Sequence, residues 1–396
     1  MTTSSLHLRP RDAGAQPVTA VELFFDLIYV FAITQLSHLV INSNLSLASV
    51  GRASFLLLVV WWAWIYTTWM VNWFDPRSGA VRLVLVAVSL ASLLMSAAIP
   101  DAFGGTGLLF AGAYVALQVG RNAAGAALLS SDHALRRTFE RIVSWSALSG
   151  VLWLAGALVA SHSRLWLWGP ALAVDLLAPL AGYWTPRLGR STTNDYSIEG
   201  GHFAERFQSF IIIALGETIV VTGASASAKG PSGETLLALT VAFLGTGALW
   251  WLYFGEVAEH SRRRLAESDD PGRLARDAYT YLHLPIIAGI IMVAVADDLL
   301  IAHPANALRA AGIVMTVGGP ALYLLGETMF RVRMIGSANP KRIVAVIALG
   351  ILAAVGNGLS ALALSGSVAA ILTALGLWEY EPLRERLRRK PPLTAG

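Results

Sequence analysis

Apolar stretches of roughly 18 or more residues, parted by short polar connections, recur along the chain, each long enough to cross about 30 Å of hydrocarbon as a helix. The pattern predicts about twelve transmembrane helices, near 21–41, 54–74, 81–99, 107–128, 142–160, 165–185, 203–224, 235–255, 280–301, 307–329, 342–362 and 366–380. The expected fold class is all-α, a polytopic membrane protein. The first twenty residues are polar, with Arg9, Pro10, Arg11, Asp12 and Pro17 and no cleavable leader pattern, so the first helix is expected to act as its own insertion signal.

Composition agrees with this pattern: 55% of the 396 residues are hydrophobic and 14% charged, where soluble domains carry about a quarter charged residues. No cysteine is present, which excludes disulfides, thiolate nucleophiles and thiolate-bound zinc. Alternate connections hold the basic residues Arg77 and Arg82; Arg136, Arg137 and Arg141; Arg187 and Arg190; Arg262, Arg263, Arg264, Arg273 and Arg276; and Arg331, Arg333, Lys341 and Arg342. The opposite connections hold only Arg52, Arg164, Lys229 and Arg309. Positive loops stay in the cytoplasm, so both termini are expected inside, in the bacterial inner membrane. The net charge of +4 then reflects topology and attraction to anionic lipid headgroups, and no nucleic-acid partner is expected.

The chain looks like one six-helix unit copied. Glu22-Leu-Phe-Phe-Asp26-Leu-Ile opening helix 1 aligns with Glu205-Arg-Phe-Gln-Ser209-Phe-Ile opening helix 7. Trp73-Phe74 matches Tyr253-Phe254, Met95 to Asp101 matches Met292 to Asp298, and Tyr114 with Gln118 matches Tyr323 with Glu327. The expected organisation is a polar segment 1–20, a first membrane half 21–185, a linker 186–202, a second, pseudo-symmetric half 203–380 and a basic tail 381–396. A functional cavity is expected between the halves.

An ionisable side chain inside a bilayer costs at least about 2.5 kcal/mol, so each needs a partner, a hydrated cavity or an interfacial position. Glu22 and Asp26 share a helix face by their i, i+4 spacing; His202 and Glu205 do so by i, i+3. Sorted by depth, Glu22, Asp26, Arg121, His202, Glu205, Arg206 and Glu327 form an inner set, and His38, Asp101, Glu217, Asp297 and Asp298 an outer, mostly acidic set. Carboxylates such as Glu22 and Glu205 also suit helix N-termini on electrostatic grounds alone. Glu217 and Arg121 fall well inside their spans and point more strongly to a polar interior. Asp175, between Pro170 and Pro179, reads as a partnered structural acid. The aromatic run Trp61, Trp62, Trp64, Tyr66, Trp69 and Trp73 reads first as anchoring or packing and second as the lining of a binding cavity. No HExxH pattern, Walker loop, dinucleotide fingerprint or nucleophile elbow is present, so no metal or cofactor is expected.

Val21-Glu-Leu-Phe-Phe-Asp-Leu-Ile-Tyr-Val-Phe-Ala-Ile-Thr-Gln-Leu-Ser-His38, His202-Phe-Ala-Glu-Arg-Phe through Gly216-Glu217, and Tyr281-Leu-His283-Leu-Pro285 resemble the bacterial low temperature requirement protein A family. The residues carrying the resemblance are Glu22, Asp26, Gln35, His38, His202, Glu205, Arg206, Gly216, Glu217 and His283. It implies a multi-helix membrane protein; the family name records a growth phenotype, so it brings no residue role with it.

Three readings of function follow. In the first, a secondary transporter or permeation protein uses the substrate- or ion-binding set Glu22, Asp26, His38, Arg121, His202, Glu205, Arg206, Glu217 and Glu327 to move a proton, cation or small solute. In the second, a membrane enzyme acts on a lipid or isoprenoid-like substrate with an acid/base pair from Glu22, Asp26, His202 and Glu205. In the third, a sensor or structural protein uses these groups to fasten helices together. The expected partners are membrane lipids and the transported species; catalytic residues and oligomeric state are left open.

Overall fold

The computed structural model describes residues 7–10, 17–130, 133–192 and 198–380. Its helices are α1 (Ala20–Ile41), α2 (Leu47–Trp73), α3 (Gly79–Ala97), α4 (Gly107–Ala127), α5 (Ala134–Leu158), α6 (Leu165–Leu177), α7 (Gly200–Lys229), α8 (Gly233–Ala266), α9 (Pro271–Ala302), α10 (Ala310–Ile335), α11 (Pro340–Val355) and α12 (Ala361–Glu379). Among the described residues β structure is confined to isolated bridges, one of which joins Leu8 to Phe74. Among the described residues nine helices are long and apolar enough to cross a membrane; α4, α6 and α11 are the other three. Outward faces carry exposed Leu90, Val151, Ile219, Leu237, Phe243 and Ile351, an apolar surface that water would not tolerate on this scale and lipid would.

Several ends differ from the sequence expectation, each for a local reason. Helix α2 starts at Leu47 because Ser46 accepts the Ser49 N–H at 3.2 Å, which takes Arg52 out of the connection and into the helix. Helix α5 starts at Ala134, where His133 accepts from Leu135 N–H, so Arg136, Arg137 and Arg141 lie in its first turns. Helix α6 stops at Leu177, shortly before Pro179, which disfavours helical geometry at the preceding residue. Three arginines counted as loop charges are buried braces, among them Arg164, which donates to the Ala102, Gly104 and Gly156 carbonyls. Arg141 donates to the Leu188 carbonyl and the Ser191 hydroxyl, and Arg342 is 1% exposed between two carboxylates. The tail 381–396, with its basic residues, lies outside the described residues, as does Arg11.

Helix α1 packs against α2, α3, α7 and α9, and α7 packs in turn against α8 and α9. Helices α9 and α10 cross with their backbones close together. A Cβ added at Gly289 would come within 2.7 Å of the Gly319 carbonyl oxygen and the Tyr323 nitrogen. Gly326 abuts Ile286 in the same way. Small residues at a helix contact let two backbones approach, the usual means of packing helices where no hydrophobic force separates them from lipid. Helices α8, α9 and α10 each include a π-helical segment, at Tyr253–Val257, Ala275–Tyr281 and Val314–Gly318.

Candidate functional site

The beginnings of α1 and α7 lie side by side, and their i, i+4 positions meet as two rungs. Glu22 faces His202, with Nε2 2.8 Å from Oε1, and Asp26 faces Arg206. The second rung is bidentate, Nη1 to Oδ2 at 2.5 Å and Nη2 to Oδ1 at 2.8 Å, and Trp64 Nε1 donates to Oδ1 at 2.8 Å. All four ladder side chains are at most 1% exposed. The face that α7 presents is thus His202 with Arg206, not His202 with Glu205. Glu205 is half-buried and accepts from Val18 N–H at 3.2 Å.

Local structure fixes both partners of the first rung. Thr19 and Glu22 form a capping box at the start of α1, so Oε2 accepts the Thr19 N–H at 2.8 Å and its hydroxyl at 2.7 Å. Arg9 reaches the same carboxylate through Nη2 at 3.1 and 3.2 Å, while its Nε donates to the Val71 carbonyl at 2.6 Å. Burial pulls the Arg9 guanidinium below its ordinary value and Glu22 pulls it back up; so strong a base stays charged. On α7, Glu199 caps the first turn through Gly201 and His202 N–H. Asn72 clasps the Glu199 backbone, accepting its N–H at 2.8 Å and donating to its carbonyl at 2.9 Å, which settles which amide atom is which. The Asn72 amide nitrogen therefore donates to His202 Nδ1 at 3.2 Å. With Nδ1 an acceptor, the ring proton sits on Nε2, which lies 2.8 Å from Glu22 Oε1 and 3.0 Å from Arg9 Nη2.

Glu217 stands further along α7 and is a different kind of acid. It is fully buried; Oε2 accepts the Thr34 hydroxyl at 2.5 Å and Oε1 has no hydrogen-bond partner. Among the described residues no cation pairs with it.

The remaining expected residues lie apart. Arg121 is buried on α4 with neutral partners, donating to the Ala63 carbonyl at 3.1 Å, to Thr67 Oγ1 at 3.0 Å and to Gln118, with its guanidinium 5.2 Å from the centre of the Tyr66 ring. Glu327 pairs with Arg342 at 2.7 Å in the second half, and Arg342 also holds Glu379 at 3.0 Å. His38 is exposed, Gln35 half-buried and Asp101 exposed, the last accepting from Gly105 N–H. Asp298 accepts from the Ser225 hydroxyl at 2.5 Å. Asp175 is partnered by Tyr114 and Trp153 at 2.9 and 3.0 Å. His283 is buried, 2.8 Å from the Tyr253 hydroxyl and stacked on Tyr279. Among the described residues no three of His, Asp and Glu gather as metal ligands would.

Sequence reasoning missed Arg9, Thr34, Asn72 and Arg342. Their only trace was an excess of acids on α1 and α7 that required donors from somewhere. The tryptophan run also does more than anchor. Trp61 and Trp64 are buried donors to Thr280 and Asp26, while Trp62, Tyr66, Trp69 and Trp73 wall a small cavity together with Phe139, Tyr183 and Arg276.

The family model described as bacterial low temperature requirement A protein matches residues 17–377, a range that takes in the ladder and Glu217. The chain is 36% identical over 388 residues to an uncharacterized protein of Rhizobium meliloti (strain 1021), across 96% of this chain and 93% of that relative. No solved structure matches the chain. With the family model spanning all twelve helices nearly end to end, the chain belongs to the bacterial low temperature requirement A protein family.

Proposed function

We propose that this protein is a secondary transporter of the inner membrane, with both termini cytoplasmic, in which Glu217 takes up and releases a proton or cation. One observation carries the reading: a fully buried carboxylate, deep in a span, with one oxygen unpartnered and the neutral Thr34 hydroxyl on the other. An unpaired anion in hydrocarbon is too costly to persist, so the site is neutralised by a proton or a bound cation, and that exchange is what a coupled transporter needs. The setting supports the reading. Helices α1 and α7, which the sequence repeat would make counterparts, pack against each other, and Glu217 on α7 meets Thr34 on α1. In this mechanism the Glu22–His202 and Asp26–Arg206 rungs hold the halves in register at the cytoplasmic end, and the moving group is Glu217.

The enzyme reading has less behind it. Glu22 is saturated by donors, and His202 Nδ1 is held by Asn72. None of Glu22, Asp26, His202 and Glu205 lines the aromatic cavity.

The test is reconstitution into liposomes that hold a pH-sensitive dye, with a potassium diffusion potential as the driving force and sodium, potassium or choline salts outside. Wild type is expected to speed internal pH change over protein-free vesicles, and Glu217→Gln to return it to that baseline. Equal rates for wild type and variant, or a wild type no faster than protein-free vesicles with every salt, would overturn the proposal.

A further inference from the structure

Another buried acid with an unpartnered oxygen lies on α9. Asp297 on α9 is 7% exposed and its Oδ2 has no hydrogen-bond partner. It lines a narrow cleft between α8, α9, α10 and α12. Thr316, 4% exposed and also lining the cleft, has an unpartnered hydroxyl, and Ser365 on α12 adds a third oxygen to the same wall. The rest of the wall is apolar, including Val241, Leu249, Val293 and Leu372.

Orphaned buried polar atoms are uncommon, because each carries the full cost of lost hydration. Two of them, from different helices, face one cavity here. Thr316 also belongs to the π-helical segment Val314–Gly318. A π turn breaks the regular i to i−4 ladder and frees backbone oxygen capacity; within a membrane such irregular backbone is tolerated where it lines a cavity. One carboxylate and two hydroxyls form a hard, all-oxygen donor set with a single negative charge. A monovalent cation balances that charge, whereas a divalent ion would leave one positive charge buried.

We propose that Asp297, Thr316 and Ser365 form a binding site for a dehydrated monovalent cation of the sodium class within the second half of the protein. The site uses none of the residues of the Glu217 reading and is tested by binding in detergent, without any transport, so either proposal can fail while the other stands.

A ligand that binds only the folded state raises its melting temperature with concentration. Tryptophan-fluorescence melting of the purified full chain, in NaCl or choline chloride at constant ionic strength, is expected to show a saturable rise in Tm with sodium and none with choline. Asp297→Asn is expected to abolish the rise. Thr316→Val, isosteric and removing only an unpartnered hydroxyl, is expected to keep the fold and weaken the sodium midpoint about tenfold, as the loss of one ion contact should. A wild-type Tm identical in sodium and choline would mean that Asp297 is simply protonated, and would overturn the site. So would an unchanged sodium midpoint in Thr316→Val, which decides the matter if Asp297→Asn does not fold.

Discussion

Thr34 on α1 donates a 2.5 Å hydrogen bond to Oε2 of Glu217 on α7, while the other oxygen of that carboxylate meets no donor. A neutral amide keeps the shape and the accepting oxygen. Glu217→Gln is therefore expected to elute from a sizing column in detergent as wild type does and to melt within a few degrees of it, by about 1 kcal/mol or less. Glu217→Lys puts a cation where no anion waits and is expected to give no folded peak. If the glutamine variant aggregates as the lysine variant does, the site needs a charge and not merely an acceptor.

The Asp26–Arg206 rung is a bidentate pair with both members fully buried. Removing one member strands the other, which typically costs about 3–5 kcal/mol, whereas replacing both by apolar residues is often close to neutral. Asp26→Asn alone is expected to lower Tm sharply, and Asp26→Leu with Arg206→Met to recover most of the loss. A double-mutant cycle of melting temperatures checks this, and strictly additive effects would argue against direct coupling.

Arg9 ties the segment before α1 to both Glu22 and the Val71 carbonyl. Glu22 keeps Thr19 and His202 when the arginine is removed. Arg9→Ala is expected to cost about 1–3 kcal/mol and to leave the protein folded at low temperature. Limited proteolysis should then cut near residues 10–18 faster than in wild type; an unaltered digestion pattern and Tm would count against the brace.

At the α9–α10 crossing, a methyl group at Gly289 would sit 2.7 Å from backbone atoms of Gly319 and Tyr323. Backbone cannot step aside as a flexible side chain can. Gly289→Ala is expected to destabilise by about 1–3 kcal/mol, while Gly245→Ala, with nothing within 4 Å of the added carbon, is expected to be silent. Thermal unfolding of the two variants in parallel separates these outcomes.

The helices were legible because a span announces itself by length and hydropathy; even the short last one, expected at 366–380, is a 19-residue helix. Their ends were not, since polar and charged residues such as Arg52 and Arg136 continue a helix as readily as they begin a loop, and only the caps at Ser46 and His133 decide. In the site, sequence spacing showed that Glu22 and Asp26 share a face. It did not show which face of α7 meets them: His202 stands three residues from Glu205 and four from Arg206, and both spacings are helical neighbours. Which neighbour turns inward depends on how α7 rotates against α1, and that is set by packing. Glu327 illustrates the same limit, because its partner Arg342 begins the following helix and reads from sequence as one more loop charge.

The Arg9–Glu22–His202 knot joins the first turn of α1 to a residue translated 180 positions later. At about 5–20 residues per second, roughly 10–40 s separate their emergence from the ribosome. Through that interval Glu22 has Arg9 and Thr19 but not His202, and Asp26 lacks its cationic partner Arg206. Some temporary shelter, from headgroups, water or the insertion machinery, has to hold them until α7 arrives. Assembly of this protein is thereby pinned to the birth order of its helices, and a chain halted before residue 202 should remain an unlocked first half.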